Sequence, residues 1–378
     1  MQVGYATTFQ NPNSTRPDRD IWKEEVHFCD LAEQLGFDSV WSTEHHFTDY
    51  EMIPNPVQFL TFMAGRTKRV KLGTMVIVLP WHDPLRVAEE ILVLDNLSDG
   101  RMILGIGRGL CAFEFDGLRI PMEESRGRFN ESAALVLSAI EKGFIESKDG
   151  FYKIPRRDIR PVPIYSFKNR TFGAGGSSES MPIMAELGAG LLIVPTKAWK
   201  KIEDDIAAYR AAWQKFHPNK PAPQPLLDQF IIVHEDRERA KELAYEYIGA
   251  YFNQVLKHYD LAGGGLEQTK GYEGYKAFTD AVVANASKVV HDFVGYQAWG
   301  TPKDVIETLA ESRRRIDASS LLGHFLFGGM PAAVGEASLR LFAKEVCPVV
   351  QKWIPDPFAR RIPAQVSEDI PTRITKAA

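Results

Sequence analysis

Short apolar segments alternate with longer amphipathic segments along most of the chain. The short segments hold runs of β-branched and other apolar residues, which predict buried strands, while the longer ones repeat apolar residues every three or four positions, which predicts helices. Eight strands are predicted, over residues 2–7, 38–43, 70–79, 102–108, 170–173, 191–194, 226–233 and 321–327. Helices are predicted over residues 20–35, 56–66, 84–97, 177–187, 199–216 and 332–349, and from residue 236 onward.

Strands that alternate with helices in this way are typical of parallel sheets, because a parallel connection needs a crossover helix. Eight such units predict an α/β fold, a (β/α)8 TIM barrel with insertions. We expect residues 1–350 to form a single barrel domain of this kind. Active sites of such barrels lie at the carboxyl ends of the strands, so polar groups that follow a predicted strand are candidates for function.

Three segments depart from a plain barrel. Residues 150–165 are predicted to be an insertion between the fourth helix and the fifth strand, because residues 154–163 hold three prolines and three arginines. Residues 260–290 are predicted to form a mobile lid loop, since five glycines fall between positions 260 and 275. Residues 351–378 are predicted to form a proline-containing C-terminal arm.

Composition and charge exclude several classes of protein. The 378 residues include 45 basic and 49 acidic ones, a net charge of −4 without a long basic run, which gives no footprint for nucleic acid. No stretch is apolar enough to span a membrane, and no secretion signal is recognised at the N-terminus. The three cysteines are too widely spaced for a disulfide framework or a zinc site. A cytoplasmic protein that acts on a small molecule is predicted.

Glu44, His45 and His46 follow the second predicted strand, at the end where barrels build active sites. Neighbouring side chains of a strand point to opposite sides, so the two histidines are not expected to share a metal ion, and no metal site is predicted. One histidine should face the barrel mouth while the other packs toward the helices. Their position favours a functional histidine over two ordinary hydrogen-bonded ones.

The run Gly105–Gly109 closes the fourth predicted strand. It has Leu110 where a dinucleotide-binding fingerprint needs its third glycine, so a Rossmann site is excluded. Glycines here would still let the backbone approach a flat ligand. Arg108 within the run is equally consistent with a phosphate ligand and with a structural ion pair.

A second glycine-rich run, Gly173–Ser178, leads from the fifth strand into a helix. Backbone amides at the helix start, with the hydroxyls of Ser177 and Ser180, predict an anion site of the kind that barrels use for phosphates. The alternative is a tight turn with a serine cap. Ser125 and Arg126 open another helix, where a solvated first turn is the simplest interpretation.

Several motifs follow one another in unbroken order over roughly residues 1–350. They are Glu44–Thr48, Gly73–Pro80, Gly100-Arg101, Arg108-Gly109-Leu110, Ser125-Arg126, Gln268–Tyr272 and Gly300-Thr301-Pro302. In this combination they resemble the bacterial luciferase-like family of flavin-dependent monooxygenases. Within that family the sequence is more similar to the luciferase catalytic subunit than to the deazaflavin-using branch.

The resemblance implies a usually dimeric (β/α)8 barrel that takes reduced FMN from a separate flavin reductase. With O2 it would form a flavin C4a-hydroperoxide that oxygenates a small organic substrate. His45 corresponds to the catalytic histidine of luciferase, and Met75 and Val76 to a non-prolyl cis peptide beside the isoalloxazine. The segment Gln268–Tyr272 corresponds to the mobile lid. The other expected cofactor-binding positions are Gly107, Arg108, Arg126, Gly176, Ser177 and Ser180.

Two positions depart from luciferase, and two other functions stay open. Gly107 replaces a cysteine beside the flavin, which argues against light emission, and Gly176 replaces a glutamate next to the phosphate serine. One alternative is an oxidoreductase that transfers hydride with reduced F420. Another is a non-catalytic flavin-binding subunit, against which His45 at the barrel mouth argues.

Overall fold

A closed ring of eight parallel strands forms the centre of the computed structural model, which describes residues 1–364. Each strand pairs with the next along the chain, and the last pairs with the first through the register Val3 to Leu321. The predicted (β/α)8 fold is therefore confirmed. The barrel strands are Gln2–Ala6, Ser39–Ser42, Lys71–Thr74, Met102–Gly107, Thr171–Ala174, Gly190–Ile193, Leu226–Val233 and Ser320–His324.

Helices surround the barrel, and several begin at residues whose side chains cap them. Asp83 accepts a hydrogen bond from the backbone N–H of Leu85, and Thr301 forms a capping box with Asp304. No helix of residues 1–364 is long and apolar enough to cross a membrane. The helices are Asp18–Gln34, Pro56–Arg66, Pro84–Leu97, Ala112–Gly117, Ser125–Lys142, Ser180–Leu187, Trp199–Phe216, Arg237–Leu243, Gly249–His258, Lys276–Tyr296, Pro302–Ile316, Ala332–Leu341 and Cys347–Val350.

The third predicted strand, residues 70–79, is divided in the structure. Its first part is the barrel strand Lys71–Thr74, and its second part is the two-residue strand Ile77–Val78, which pairs with the end of the fourth barrel strand. The peptide bond between Met75 and Val76 is cis and lies between the two parts. The apolar run is unbroken there, so the pattern gave no sign of the division.

Two predicted irregular segments contain regular elements. The insertion begins before residue 150, because Phe144–Ser147 pairs antiparallel with Ile154–Asp158 as a hairpin. The prediction of a loop over residues 260–290 is wrong for its second half, where the helix Lys276–Tyr296 starts two residues after Gly274, the last glycine of the segment. Residues 259–275 are turns that include the single helical turns Leu266–Gln268 and Glu273–Tyr275.

The C-terminal arm closes the bottom of the barrel, at the amino ends of the strands. Phe358 joins the apolar cluster inside the barrel and packs edge to face on Phe172, with ring centroids 5.8 Å apart. The arm then runs alongside residues 165 and 166, since Ser166 N–H donates to the Ile362 carbonyl at 2.8 Å. The rest of the predicted arm, residues 365–378, lies outside the described residues.

Candidate active site

His45 lies at the barrel mouth in contact with a buried carboxylate. The second barrel strand ends at Ser42, and the chain enters an irregular segment that carries both histidines. His45 Nδ1 is 3.1 Å from Glu114 Oε1, an oxygen that also accepts the backbone N–H of His46 at 2.7 Å. Glu114 belongs to the short helix Ala112–Gly117 that follows the fourth barrel strand. The segments that follow the second and the fourth barrel strands thus supply the pair.

The other nitrogen of His45 faces a second set of polar groups. Its Nε2 lies 3.4 Å from the Tyr259 hydroxyl and 4.0 Å from Glu51 Oε2. Glu51 is 2% exposed and accepts a hydrogen bond from Thr43 Oγ1 at 2.5 Å. The imidazole is therefore held between two buried carboxylates, with a phenol beside the nitrogen that is free to exchange a proton.

This arrangement changes the protonation of each group. Burial lowers the pKa of His45, but the charges of Glu114 and Glu51 outweigh it and raise the pKa above its ordinary value. Burial raises the pKa of Glu114, but His45 and His258 outweigh it and bring the pKa to about 2. Burial also raises the pKa of Glu51. Because ionised Glu114 only accepts hydrogen bonds, Nδ1 of His45 carries a proton and Nε2 is the atom that titrates.

His46 points its imidazole toward a different carboxylate. Its Nε2 is 3.2 Å from Glu44 Oε1, an oxygen that lies 2.6 Å from His82 Nε2. Glu44 Oε2 accepts the backbone N–H of Val78 at 2.7 Å, which anchors the segment after the cis peptide. The two imidazoles diverge as expected, but strand alternation is not the reason. The strand has already ended, and the separate carboxylates Glu44 and Glu114 orient the rings.

Nitrogen and oxygen atoms of His45, Glu114 and His258 approach closely enough to suit a cation, since they lie within 4.8 Å of one another. His258 Nδ1 is 3.0 Å from Thr48 Oγ1, and its Nε2 is 3.5 Å from Glu114 Oε1. Hydrogen bonding between His45 and Glu114 accounts for this arrangement without an ion. His258 contributes to the low pKa of Glu114.

Met75 and Val76 lie beside the fourth barrel strand, at the cis peptide that the resemblance implies for these positions. Gly107 of that strand faces the Val76 side chain, and a Cβ atom on Gly107 would lie 2.3 Å from Val76 Cγ2. A cysteine at position 107 would therefore clash with Val76. The departure from luciferase at this position is explained by the volume of Val76.

Two arginines converge near the predicted phosphate positions. Arg108 Nη1 donates to the Gly271 carbonyl at 2.6 Å, and its guanidinium stacks on the ring of Tyr272. Arg126 Nη2 is buried without a hydrogen bond, and Glu179 Oε2 is 3.5 Å away. Burial and the charge of Arg108 lower the pKa of Arg126. The pair thus presents positive charge that the protein only partly compensates.

Ser177 and Ser180 flank Glu179 in the sequence, and Glu179 Oε2 lies 3.5 Å from Arg126 Nη2. The Oγ atoms of the two serines are 2.9 Å apart at the amino end of the helix Ser180–Leu187, which begins three residues later than predicted. A Cβ atom on Gly176 would lie 3.2 Å from the Tyr275 hydroxyl, so a glutamate there would displace the lid residue. The sequence-predicted residues thus form two groups, one around His45 and one around Arg126. Pattern reasoning missed Glu114, Glu51 and Tyr259.

Comparisons with known proteins identify the relatives of this chain. The family model described as luciferase-like monooxygenase matches residues 1–319. The alkanal monooxygenase alpha chain of Photorhabdus luminescens is 24% identical, over 93% of this chain and 98% of that protein. The oxygenase component of the flavin-dependent trigonelline monooxygenase of Acinetobacter baylyi is 26% identical, over 79% of this chain and 87% of that protein.

Solved structures share the fold. The monooxygenase RslO1 of Streptomyces bottropensis superposes with a TM-score of 0.72 at 25% identity and covers 93% of this chain and all of that one. An F420-dependent secondary alcohol dehydrogenase gives a TM-score of 0.68 at 15% identity, over 93% of this chain and 99% of that one. The second likeness shows the fold alone. From the family match and the residues at the barrel mouth we conclude that the chain belongs to the luciferase-like monooxygenase family.

Proposed function

We propose that this protein is the oxygenase component of a two-component, flavin-dependent monooxygenase of the cytoplasm. It would take reduced FMN from a separate flavin reductase and use O2 to oxygenate a small organic substrate. The observation that carries the proposal is the His45 imidazole, held at the barrel mouth between Glu114 and Glu51. A non-catalytic flavin-binding subunit would have no use for this arrangement.

The side chains of Arg108, Arg126, Ser177 and Ser180 are suited to bind the phosphate of FMN. Arg126 Nη2 is buried and makes no hydrogen bond, with Glu179 Oε2 3.5 Å away, and a buried donor without a hydrogen bond costs free energy that an anion would recover. Arg108 and the hydroxyls of Ser177 and Ser180 would supply further contacts, with the helix start behind them. Gly176 would let the backbone approach the phosphate. Met75, Val76 and Gly107 would then border the isoalloxazine.

When bound, reduced FMN would supply the electrons that activate O2. The chain's own part is to manage one proton and to exclude water. Glu114 keeps Nδ1 of His45 protonated and raises the pKa of the ring, so Nε2 holds a proton ready for donation over a wider pH range. Tyr272 and its neighbours cover the arginine group, which would shield the site from solvent during turnover.

A binding experiment separates the two candidate cofactors. Reduced FMN and reduced F420 are titrated anaerobically into the protein, and tighter binding of FMN is expected. Aerobic turnover with a supplied FMN reductase then tests a panel of aldehydes, cyclic ketones, aromatics and sulfur compounds, with products identified by mass. Preferential binding of F420 with hydride transfer would replace the proposal. Flavin binding with no oxygenated product from any substrate would favour a non-catalytic subunit.

A further inference from the structure

A second polar cavity lies at the opposite end of the barrel from His45. It is bounded by the amino ends of the third and fourth barrel strands, near Lys71 and Met102, and by residues that precede the fifth strand. The C-terminal arm closes it from outside through Phe358 and Ile362. Its volume is about 100 Å³, which leaves room for several waters or for a small tetrahedral oxyanion.

The charge of this cavity is strongly one-sided. Its lining includes six cationic side chains and, within residues 1–364, no aspartate or glutamate. Like charges gathered in one partly enclosed space repel one another unless an anion compensates them. The cationic residues are Arg69, Lys71, Arg101, Arg170, Arg360 and Arg361.

Carboxylates behind the lining compensate only part of this charge. Lys71 pairs with Asp356 at 2.8 Å, and Arg170 pairs with the buried Asp95. The Arg101 guanidinium instead donates its hydrogen bonds to backbone carbonyls and to the Thr67 hydroxyl. In the described part of the chain, no carboxylate oxygen lies within ion-pair distance of the guanidinium groups of four cavity residues. These are Arg69, Arg101, Arg360 and Arg361.

Neutral donors complete the cavity. Arg361 Nη1 donates to the Tyr165 hydroxyl at 2.9 Å, so the proton of that hydroxyl remains available for another acceptor. Asn169 binds the arm through its Nδ2, which donates to the Arg360 carbonyl at 2.8 Å. Residues of the barrel and of the arm therefore meet in one electropositive space, and an anion between them would attract both.

We propose that this cavity binds a small multivalent oxyanion of the phosphate type, which fastens the C-terminal arm to the bottom of the barrel. The ligand is inorganic phosphate or the phosphate group of a metabolite. The site is separate from the proposed flavin phosphate group, because Arg126 and Ser177 follow the carboxyl ends of the strands. It therefore does not depend on the proposed cofactor or reaction.

Tryptic cleavage of the arm tests the proposal at the site itself. The full chain is digested in sodium phosphate and in sodium chloride of equal ionic strength, and cleavage after Arg361 is followed by mass spectrometry. Phosphate is expected to slow this cleavage at least tenfold, since bound phosphate would hold the arm against Tyr165. Digestion with glycerol phosphate distinguishes the two sources, because a cavity that admits only free phosphate would leave the ester without effect.

Matched variants locate the effect. Arg69→Gln and Lys71→Gln should each reduce the protection by phosphate. Two control variants should retain it: Arg126→Gln, at the proposed binding site of the flavin phosphate, and Arg239→Gln, on the exposed helix Arg237–Leu243. Equal cleavage in phosphate and chloride would overturn the proposal, as would protection that survives in both the Arg69 and Lys71 variants.

The chain itself offers one competing occupant. Glu368 and Asp369 lie outside the described residues but carry the right charge. If phosphate protects the arm only after both are replaced by Gln and Asn, the cavity belongs to the chain's own acidic residues and the proposal fails. Protection of the unaltered chain decides in favour of phosphate.

Discussion

The guanidinium of Arg108 lies over the ring of Tyr272, with its central carbon 3.8 Å from the ring centroid. Such a cation–π contact joins a predicted phosphate ligand to the predicted lid. The Tyr272 hydroxyl reaches further into the site, donating to the Gly109 carbonyl at 2.8 Å and lying 3.0 Å from Ser125 Oγ. In this structure the predicted lid segment is therefore in contact with Arg108 and with the residues around it.

A lid held by these contacts should open when they are removed. Tyr272→Ala loses both the stacking and the hydrogen bonds, so trypsin should cut after Lys270 at least tenfold faster. Tyr272→Phe keeps the ring and loses a hydrogen bond worth about 1 kcal/mol, so cleavage should rise only a few-fold. Reduced FMN with substrate should slow cleavage of the unaltered protein. Cleavage between residues 260 and 275 that is equally fast with and without these ligands would show that the segment does not gate the site.

Arg126 offers the cleaner test of phosphate binding, because Arg108 also contacts the lid. A charge-assisted hydrogen bond contributes about 1.5–3 kcal/mol, so Arg126→Ala should weaken reduced FMN binding by roughly tenfold or more. Binding of reduced riboflavin, which has no phosphate, should not change. Arg128→Ala is the matched control, since Arg128 lies on the same helix but pairs with Glu124 at 2.7 Å. Equal FMN affinity of the Arg126 and Arg128 variants would contradict the assignment.

The pattern of apolar residues was sufficient to predict all eight barrel strands, because each crosses a core that demands a continuous apolar run. It did not reveal the division at Met75, where the run continues unbroken across the cis peptide. Nor did it reveal the helix Lys276–Tyr296, because the loop predicted from the preceding glycines was extended beyond the first residue of this helix. Local signals thus located the strands well and the irregularities poorly.

The site was predictable only where position along a strand determines function. His45 stands directly after a strand end, and its place could be inferred from the barrel alone. Glu114 lies 69 residues further on, in a helix of six residues, and no local feature links it to His45. Glu51 and Tyr259 reach the imidazole from two more segments. Such partners are brought together by tertiary structure, so a single sequence does not identify them.

Exposed apolar residues mark the surface where we expect the dimer to form. Phe62, Val93 and Leu97 are 52%, 41% and 62% exposed, on the helices Pro56–Arg66 and Pro84–Leu97. Burying this surface would stabilise a dimer, so light scattering at micromolar concentration should give twice the mass of the chain. Leu97→Asp should shift the protein to a monomer, while Phe216→Asp, at the end of another helix, should not. A monomeric unaltered protein would exclude the dimer.

Glu114 should set the pH range over which His45 works. The carboxylate raises the pKa of His45, so coupled product yield should fall as the pH rises through a value above ~6.5. Glu114→Gln removes the charge, and loss of such a partner typically shifts a pKa by 1–3 units, so the fall should move to lower pH. Glu124→Gln, which lacks contact with His45, should leave the profile in place. An unchanged profile in the Glu114 variant would disprove the coupling.

The ion pair between His45 and Glu114 should also make the melting temperature depend on pH. Because the pKa of Glu114 is lowered in the folded protein, this group stabilises the fold above about pH 4.3, the pKa of glutamate in the unfolded chain. That stabilisation is lost as the pH falls toward about 2. Because the pKa of His45 is raised in the folded protein, this group stabilises the fold fully below about pH 6.5, the pKa of histidine in the unfolded chain. That stabilisation is lost as the pH rises through the pKa of His45 in the folded protein. The melting temperature should therefore differ most between the unaltered protein and Glu114→Gln at about pH 4.5–6.5, and the difference should shrink on either side.

His45 itself gives the most direct test of the proposed chemistry. If its Nε2 manages a proton during oxygen transfer, His45→Ala should lower product formation by ~10²–10⁴-fold while flavin binding stays intact. Reduced FMN would then be oxidised without product and hydrogen peroxide would be released. His46→Ala is the matched control, because its ring contacts Glu44 and Trp81 rather than Glu114. That variant should lower the melting temperature more than the product yield per FMN oxidised. A normal yield in a destabilised His45 variant would show that His45 has only a structural role. A larger yield defect in the His46 variant would assign the proton-managing role to His46, beside Glu44.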